Sequence, residues 1–144
     1  MMLLGLSSCG DDDEEDDDVE PTTNLTITGT DGSPDGTSTF LIRNDQIVLN
    51  IGSDNPLVVM QFTLPDGETQ ISTGTYTATS AFNNDESLVY LQYAEGFDIY
   101  YAQGGTVVID EATATVLSGT IDADLESNAG DAIEINGAFS AVPQ

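Results

Sequence analysis

The sequence predicts an all-β protein, either an antiparallel β-sandwich or a closed β-barrel, of about 8–10 strands. From Asn24 onward, apolar and polar residues alternate with a period of two. Turn signals rich in glycine, asparagine and aspartate interrupt this alternation, and Thr, Val, Ile and Tyr are abundant between them. No window has the periodicity of an amphipathic helix, and we allow only a short turn near residues 81–87. Periodicity does not distinguish a sandwich from a barrel, and we favour the sandwich.

Residues 24–110 contain several short alternating segments. In TSTFLIRNDQIVLNIG, two strands are expected around the turn dipeptide Asn44-Asp45, with Phe40 and Ile42 on one face of the first strand. Further strands are expected in NLTITGT, PLVVMQFTL, TQISTGTYTATS, SLVYLQY, FDIYYAQ and GTVVID. Each segment is short, so the predicted sheet consists of many strands joined by tight turns.

The last hairpin is the clearest element. The segments LSGTIDADLE and AIEINGAFSA both alternate, and the loop Asn128–Gly130 between them has glycine where a three-residue hairpin needs a left-handed residue. In that register Leu125 lies opposite Ile133 on the inward face. Asp124 then lies opposite Glu134 on the outward face.

The charge balance excludes some functions. The chain of 144 residues has 26 acids, one base and no histidine, for a net charge of −25. Such a surface repels nucleic acid, because binding to phosphates depends on lysine and arginine. The usual catalytic bases and activators of nucleophiles are missing, so the sequence predicts no enzyme. A hydrolase that uses a pair of carboxylates is the remaining catalytic alternative.

The only cysteine, Cys9, follows an apolar run, Met1–Leu6. Leu6-Ser7-Ser8-Cys9 resembles the lipobox of bacterial lipoproteins, which implies that Cys9 is the lipidation site. We expect residues 1–8 to be a truncated lipoprotein signal segment with its true start upstream, because the run is short and has no basic residue before it. The alternative is a free cysteine in a disordered terminus.

Residues 9–23 are predicted to be an acidic disordered tether, because like charges repel and few apolar residues are present to bury. Residues 24–144 are then a single β domain. Acids directly after the cysteine resemble the export signal of Bacteroidota lipoproteins. This implies a lipid anchor in the outer membrane with the domain exposed on the cell surface; the alternative is a periplasm-facing domain.

The second half of the chain resembles a family of small, uncharacterised Bacteroidota lipoproteins. The matching segments are Gly74-Thr75-Tyr76, Tyr100-Tyr101, Gly105–Ile109, Leu117–Thr120 and Ile135–Phe139. Where the family pattern has phenylalanine after Ser-Gly-Thr, this chain has Ile121. The resemblance covers roughly residues 74–143 and implies a fold and a location, but it assigns no catalytic residue.

Two sets of residues are candidate sites. Asp122, Asp124 and Glu126 share one strand face, and Glu134 opposes Asp124, so that a hard cation such as Ca²⁺ would relieve their repulsion. The alternative is a solvated acidic face, with no cofactor.

The second set consists of tyrosines on two neighbouring strands: Tyr90, Tyr93, Tyr100 and Tyr101. Exposed on one face, they would form a flat platform for a glycan or protein ligand. The alternative is that about half of them belong to the core.

Two functions therefore remain. The first is a non-enzymatic surface lipoprotein that serves as a binding or interaction module on an acidic tether. The second is a structural or adhesin-like outer-membrane component with an acidic face stabilised by calcium. An exposed aromatic platform would favour the first, and a strand edge open for pairing would favour the second.

Overall fold

The computed structural model describes residues 23–30, 32, 34, 38–52, 56–81 and 85–144. Within these residues the chain forms nine strands. The described part of the chain contains no helix that is long and apolar enough to cross a membrane. The strands are β1 (Asn24–Thr28), β2 (Ser38–Arg43), β3 (Gln46–Ile51), β4 (Leu57–Thr63), β5 (Gly74–Thr79), β6 (Leu88–Glu95), β7 (Asp98–Ala112), β8 (Leu117–Ser127) and β9 (Ala132–Pro143). Cys9 and the predicted signal segment and tether up to residue 22 lie outside the described residues.

The strands form one mixed sheet that closes on itself. Their order is β8-β7-β5-β6-β4-β3-β2-β9-β1, and β8 also pairs with β9, which completes a barrel-like ring. Most pairings are antiparallel, as predicted, but β2 pairs with β9 and β5 pairs with β6 in parallel. The described part of the chain is therefore all-β, and closure leaves β1 alone outside the ring, paired with β9.

The turn between β2 and β3 is the predicted one. Asn44 and Asp45 have φ angles of 50° and 65°, which are the left-handed values of a type I′ hairpin turn. Phe40 is buried as expected, whereas Ile42 is 49% exposed. Ile42 lies beside the turn and beyond the ladder that joins β2 to β9, because that ladder includes only Thr39 and Phe40 of β2.

The hairpin of β8 and β9 has the predicted register. Leu125 lies opposite Ile133, and Asp124 lies opposite Glu134. The loop closes with hydrogen bonds from Gly130 N to the Ser127 carbonyl oxygen (3.0 Å) and from Ser127 N to the Asp131 carbonyl oxygen (2.9 Å). Gly130 has a φ of 92°, so the glycine fulfils the left-handed role that the sequence assigned to it.

The inward positions of the ring form one apolar core. Alternate residues of β3, β4, β6, β8 and β9 are buried, and their outward neighbours are half-buried or exposed. The largest side chains with no or almost no exposure are Tyr93, Phe62, Phe139, Leu49, Ile51, Met60, Leu91, Ile109, Leu117, Ile121, Leu125 and Ile135. At ~25 cal/mol per Å² of buried apolar surface, this core is the main source of stability.

The ladder between β7 and β8 contains two irregularities. Its register shifts at Ser118/Gly119 and again at Asp124/Leu125. Next to the second shift, Gly105 has a φ of 113°, and a Cβ atom there would clash with the backbone of Asp122 and Ala123. Only glycine permits this close approach of the two strands, and the resulting bulge changes the direction of the neighbouring side chains.

Candidate functional site

The four acids predicted to bind calcium lie on the outside of β8 and β9. Asp122, Asp124, Glu126 and Glu134 are all exposed, and Asp124 directly opposes Glu134. No group of three or more carboxylates among the residues that the structure describes is arranged to hold a metal ion. The geometry therefore brings one like-charged pair together, and calcium binding stays a prediction.

The structure divides the four predicted platform tyrosines into two pairs. Tyr93 and Tyr100 point inward, with 0% and 6% exposure, and their ring centroids are 5.9 Å apart. Their assignment to an exposed platform is wrong, because each lies in phase with the buried positions of its strand. The alternative, that about half of the four tyrosines belong to the core, is correct for these two residues.

The inward tyrosines help to close one end of the ring. The Tyr93 hydroxyl donates a hydrogen bond to Glu95 Oε1 (2.8 Å), and the Thr30 hydroxyl donates one to Glu95 Oε2 (2.7 Å). A Cβ atom on Gly32 would clash with this carboxylate and with the Tyr93 hydroxyl. The Glu95 carboxylate thus connects the segment after β1 to the end of β6.

Burial raises the pKa of both inward tyrosines. For Tyr93 the increase is large, and the hydrogen bond to Glu95 and the negative charge of Glu95 add to it. For Tyr100, burial raises the pKa first, followed by the charges of Asp98, Asp131 and Glu95. Both hydroxyls therefore stay protonated at neutral pH and have a structural role at this end of the ring.

The other two tyrosines, Tyr90 and Tyr101, point outward from neighbouring strands and are half-buried. The Tyr90 hydroxyl donates a hydrogen bond to Gln92 Oε1, and Gln92 lies directly opposite Tyr101. Burial raises the pKa of Tyr90, and the nearby Tyr101 raises it further. These two side chains are the part of the predicted platform that the fold presents on its surface.

The tyrosines belong to a larger outward surface without acidic side chains, which we call the uncharged face; the exposed Arg43 at the end of β2 lies at its border, opposite Gln46. It consists of the half-buried outward positions Thr39, Leu41, Gln46, Val48, Asn50, Leu57, Val59, Gln61, Thr63, Leu88, Tyr90, Gln92 and Ala94. Direct cross-strand pairing places one row of them side by side, from Thr39 through Asn50 and Val59 to Gln92, and Gln92 pairs in turn with Tyr101 of β7. In a chain with a net charge of −25, this surface is depleted of charge.

A cleft of about 550 Å³, which we call the Tyr101 cleft, opens at the edge of this face. Its lining residues are Ser80, Tyr101, Gln103, Glu126, Ser127 and Asn128. It exists because β5 ends at Thr79, so that β7 pairs with β5 only from Thr106 onward and with β6 only up to Tyr101. The β7 residues between these two ladders have no strand partner on that side within the described chain.

Gln103 occupies the bulge at this junction. On the β8 side, Leu125 pairs with Ala102 and Asp124 pairs with Gly104, so that Gln103 has no opposite residue in the ladder. Its amide nitrogen donates a hydrogen bond to the Tyr101 carbonyl oxygen (3.1 Å). A bulge beside a cleft directs a side chain differently from the regular alternation, which is why such bulges recur at functional sites.

A second, smaller cleft of about 240 Å³ continues from the first and shares Tyr101, Ser127 and Asn128 with it. Phe97, which is fully exposed, and Ile99 line its outer part. Phe97 lies at the tip of the hairpin between β6 and β7, after Gly96, whose φ is 63°. The two clefts form one surface depression that has Tyr101 at its centre.

Sequence reasoning missed most of this depression. Tyr101, Glu126 and the loop residue Asn128 were singled out, each for another reason, whereas Ser80, Gln103 and Ser127 were not. The available signal was Gly104-Gly105 inside a strand pattern, because glycines within a strand indicate a bulge. The ending of β5 beside this bulge depends on pairing between distant strands, which periodicity does not reveal.

The chemistry of the cleft suits reversible recognition. It offers amide, hydroxyl and aromatic groups together with the carboxylate of Glu126. Glu126 is the only acid among the described residues that line the Tyr101 cleft, and Asp98 lines the smaller cleft beside it.

Comparison with known proteins adds no relative to this description. No family model, no curated protein and no solved structure matches the chain. The resemblance to Bacteroidota lipoproteins therefore stays an expectation from sequence, and the functional argument depends on the geometry of the fold.

Proposed function

We propose that this protein is a lipid-anchored binding module of the outer membrane, displayed on the cell surface, and that its ligand contacts the uncharged face and the adjoining clefts. The observation that carries the proposal is the depletion of charge across four neighbouring strands of a strongly acidic chain. The central part of a recognition surface is poor in charged residues, as this face is, and aromatic residues are enriched there; Tyr90 lies on the face and Tyr101 lies beside it.

The anchor is the lipid on Cys9, and residues 9–23 form the tether. Extended at ~3.3–3.6 Å per residue, the tether reaches on the order of 50 Å, enough to hold the domain clear of the membrane surface. The two or three acyl chains of a lipoprotein would hold it firmly, at ~0.8 kcal/mol per buried CH₂. A periplasm-facing domain is the alternative location.

The proposed role does not involve catalysis. The chain has no histidine or lysine and a single cysteine, which the lipid would occupy. General acid–base and nucleophilic catalysis would therefore depend on carboxylates and hydroxyls alone.

A second candidate function, an assembly component of the outer membrane, is favoured by β1. This strand pairs with β9 along one edge, and its other edge has no strand partner within the described residues. An open edge accepts a strand from another chain. This candidate predicts a stable complex of higher mass in detergent extracts, and its calcium-dependent form predicts that a chelator dissociates the complex.

The test of the proposed function compares the full chain, preceded by a complete lipoprotein signal, with its Cys9→Ser variant. We expect the parent chain to incorporate a labelled fatty acid, to fractionate with the outer membrane and to be cleaved by protease added to intact cells. We expect Cys9→Ser to lose the label and to become soluble. A parent chain without label, or one protected from protease until the outer membrane is opened, would contradict anchoring or display, respectively.

A further inference from the structure

We propose that the Tyr101 cleft binds a neutral saccharide, with one sugar ring stacked against Tyr101. This inference depends on the proposed function and assigns its ligand class. It is carried by the side chains that the end of β5 and the β7 bulge bring together, not by the acidic face beside them.

Tyr101 is the aromatic residue of the cleft. Its side chain is half-buried, so that its ring is held by the sheet while part of it faces the cleft. The apolar C–H face of a pyranose ring packs well against such a ring. Tyrosine combines this apolar surface with a polar hydroxyl, and Tyr90 extends the aromatic surface along the next strand.

Polar side chains that can donate or accept hydrogen bonds line the cleft around that ring. The side chains of Ser80, Glu126 and Asn128 make no hydrogen bond with any residue that the structure describes. Within the described residues, a ligand could therefore contact each of them without displacing a hydrogen bond. A sugar with neighbouring hydroxyls, each of which both donates and accepts, matches this mixture of amide, hydroxyl and carboxylate.

Ser127 provides a further group at the bottom of the cleft. Its side chain is 8% exposed, and its Oγ accepts a hydrogen bond from Asp131 N (3.2 Å). The hydroxyl hydrogen has no acceptor among the described residues, although the side chain lines the cleft. Because the hydroxyl lines a cleft that is open to solvent, a ligand oxygen could accept this hydrogen bond in place of water.

Charge and size narrow the ligand class. The carboxylate of Glu126 and the net charge of −25 disfavour an acidic sugar or a phosphate. The cleft volume of about 550 Å³ lies within the range of ~300–1,000 Å³ for small-ligand sites. The adjoining 240 Å³ cleft beside Phe97 leaves space for a second ring, so that a short oligosaccharide fits better than a monosaccharide.

The experiment uses the full chain and titrates it with neutral hexasaccharides of glucose, xylose and mannose in several linkages, together with a galacturonate hexamer and a glucosamine hexamer. Because the chain has no tryptophan, its intrinsic fluorescence comes from tyrosine, and calorimetry provides an independent measurement. We expect at least one neutral oligosaccharide to bind and the galacturonate hexamer not to bind.

Four variants locate the site. We expect Tyr101→Ala to weaken binding at least tenfold and Tyr101→Phe, which keeps the ring, to weaken it less than threefold. We expect Gln103→Ala to weaken it about threefold to tenfold. The control Thr120→Ala removes an exposed outward hydroxyl of β8 that lies outside both the uncharged face and the clefts, and it should leave affinity unchanged.

Each other outcome overturns the inference. Binding of neutral sugars that is unaffected by Tyr101→Ala and Gln103→Ala would place the site elsewhere. If only the glucosamine hexamer binds and the same variants weaken that binding, the ligand is a cationic and not a neutral saccharide. The proposed role as a binding module would then stand, and the neutral ligand class would be wrong. Binding of none of the probes would overturn the saccharide assignment, whereas lipidation and surface display are decided separately by the Cys9→Ser comparison.

Discussion

The strands β2–β6 and the strands β7–β9 contribute to one core but present different surfaces. From β2 to β6 the only acid within a strand is Glu95, whose carboxylate accepts hydrogen bonds from Tyr93 and Thr30. From β7 to β9 the strands carry Asp98, Asp110, Glu111, Asp122, Asp124, Glu126 and Glu134. The difference teaches that the acids within strands are concentrated in β7–β9, whereas the turns of both regions carry acids, such as Asp45, Glu86 and Asp131. The Tyr101 cleft lies where the two regions meet.

The largest expected effects test whether the two regions share one core. Leu49 in β3 and Leu125 in β8 have 0% and 1% exposure. We expect Leu49→Ala and Leu125→Ala each to lower the free energy of unfolding by about 2–5 kcal/mol, through lost burial and the cavity left behind. Denaturant unfolding followed by circular dichroism measures this. Two separate unfolding transitions, or a variant that destabilises only one of two transitions, would show that the two regions fold independently.

The next effect concerns the irregular backbone of the β7–β9 region. Gly105→Ala places a Cβ atom against the backbone of β8 at a positive φ, and we expect it to destabilise the fold by about 1–3 kcal/mol. The adjacent Gly104→Ala is the matched control, because a Cβ atom there meets no atom within 4 Å. Equal midpoints of thermal unfolding for the two variants would mean that the bulge does not need glycine at residue 105.

The pH dependence of stability tests the end of the β2–β6 region, where Tyr93 donates a hydrogen bond to Glu95. The pKa of Tyr93 is raised above its ordinary value of 10.0, so the protonated hydroxyl stabilises the fold fully below about pH 10. That contribution is lost as the pH rises above 10, because the unfolded chain ionises first. We expect the free energy of unfolding to fall less steeply above pH 10 in Tyr93→Phe than in the parent chain. Identical slopes in both proteins would contradict this role of Tyr93.

The smallest effect tests the repulsion in the β7–β9 region. Asp124→Asn removes one of two directly opposed carboxylates, and we expect the midpoint of thermal unfolding to rise by about 1–4 °C in the presence of a chelator, less at high salt. Asp110→Asn is the control, because it removes an exposed acid with no carboxylate directly across the ladder. If added calcium lowers the midpoint of thermal unfolding of the parent chain, or leaves it unchanged, that result would count against the predicted calcium site. A rise that Asp124→Asn abolishes would support it.

Local pairing was predictable, and pairing between distant strands was not. The turn at Asn44-Asp45 and the register of β8 against β9 follow from a short loop, because the loop determines which residues face each other. The insertion of β5 between β6 and β7 joins strands that are far apart in sequence, and no local signal specifies it. The Tyr101 cleft depends on that insertion, so only half of its residues had drawn attention in the sequence.

The sequence by itself determined the all-β class, the tight hairpins and the alternation that buries one side of each strand, because these depend on residues close together in the chain. The tertiary structure decided the closure of the sheet, its two parallel pairings and which two of four tyrosines reach the surface. Two tyrosines in adjacent positions, such as Tyr100 and Tyr101, must face opposite sides of a strand. Which of them faces the core depends on the packing of the whole ring, since both are apolar enough to be buried and polar enough to be exposed.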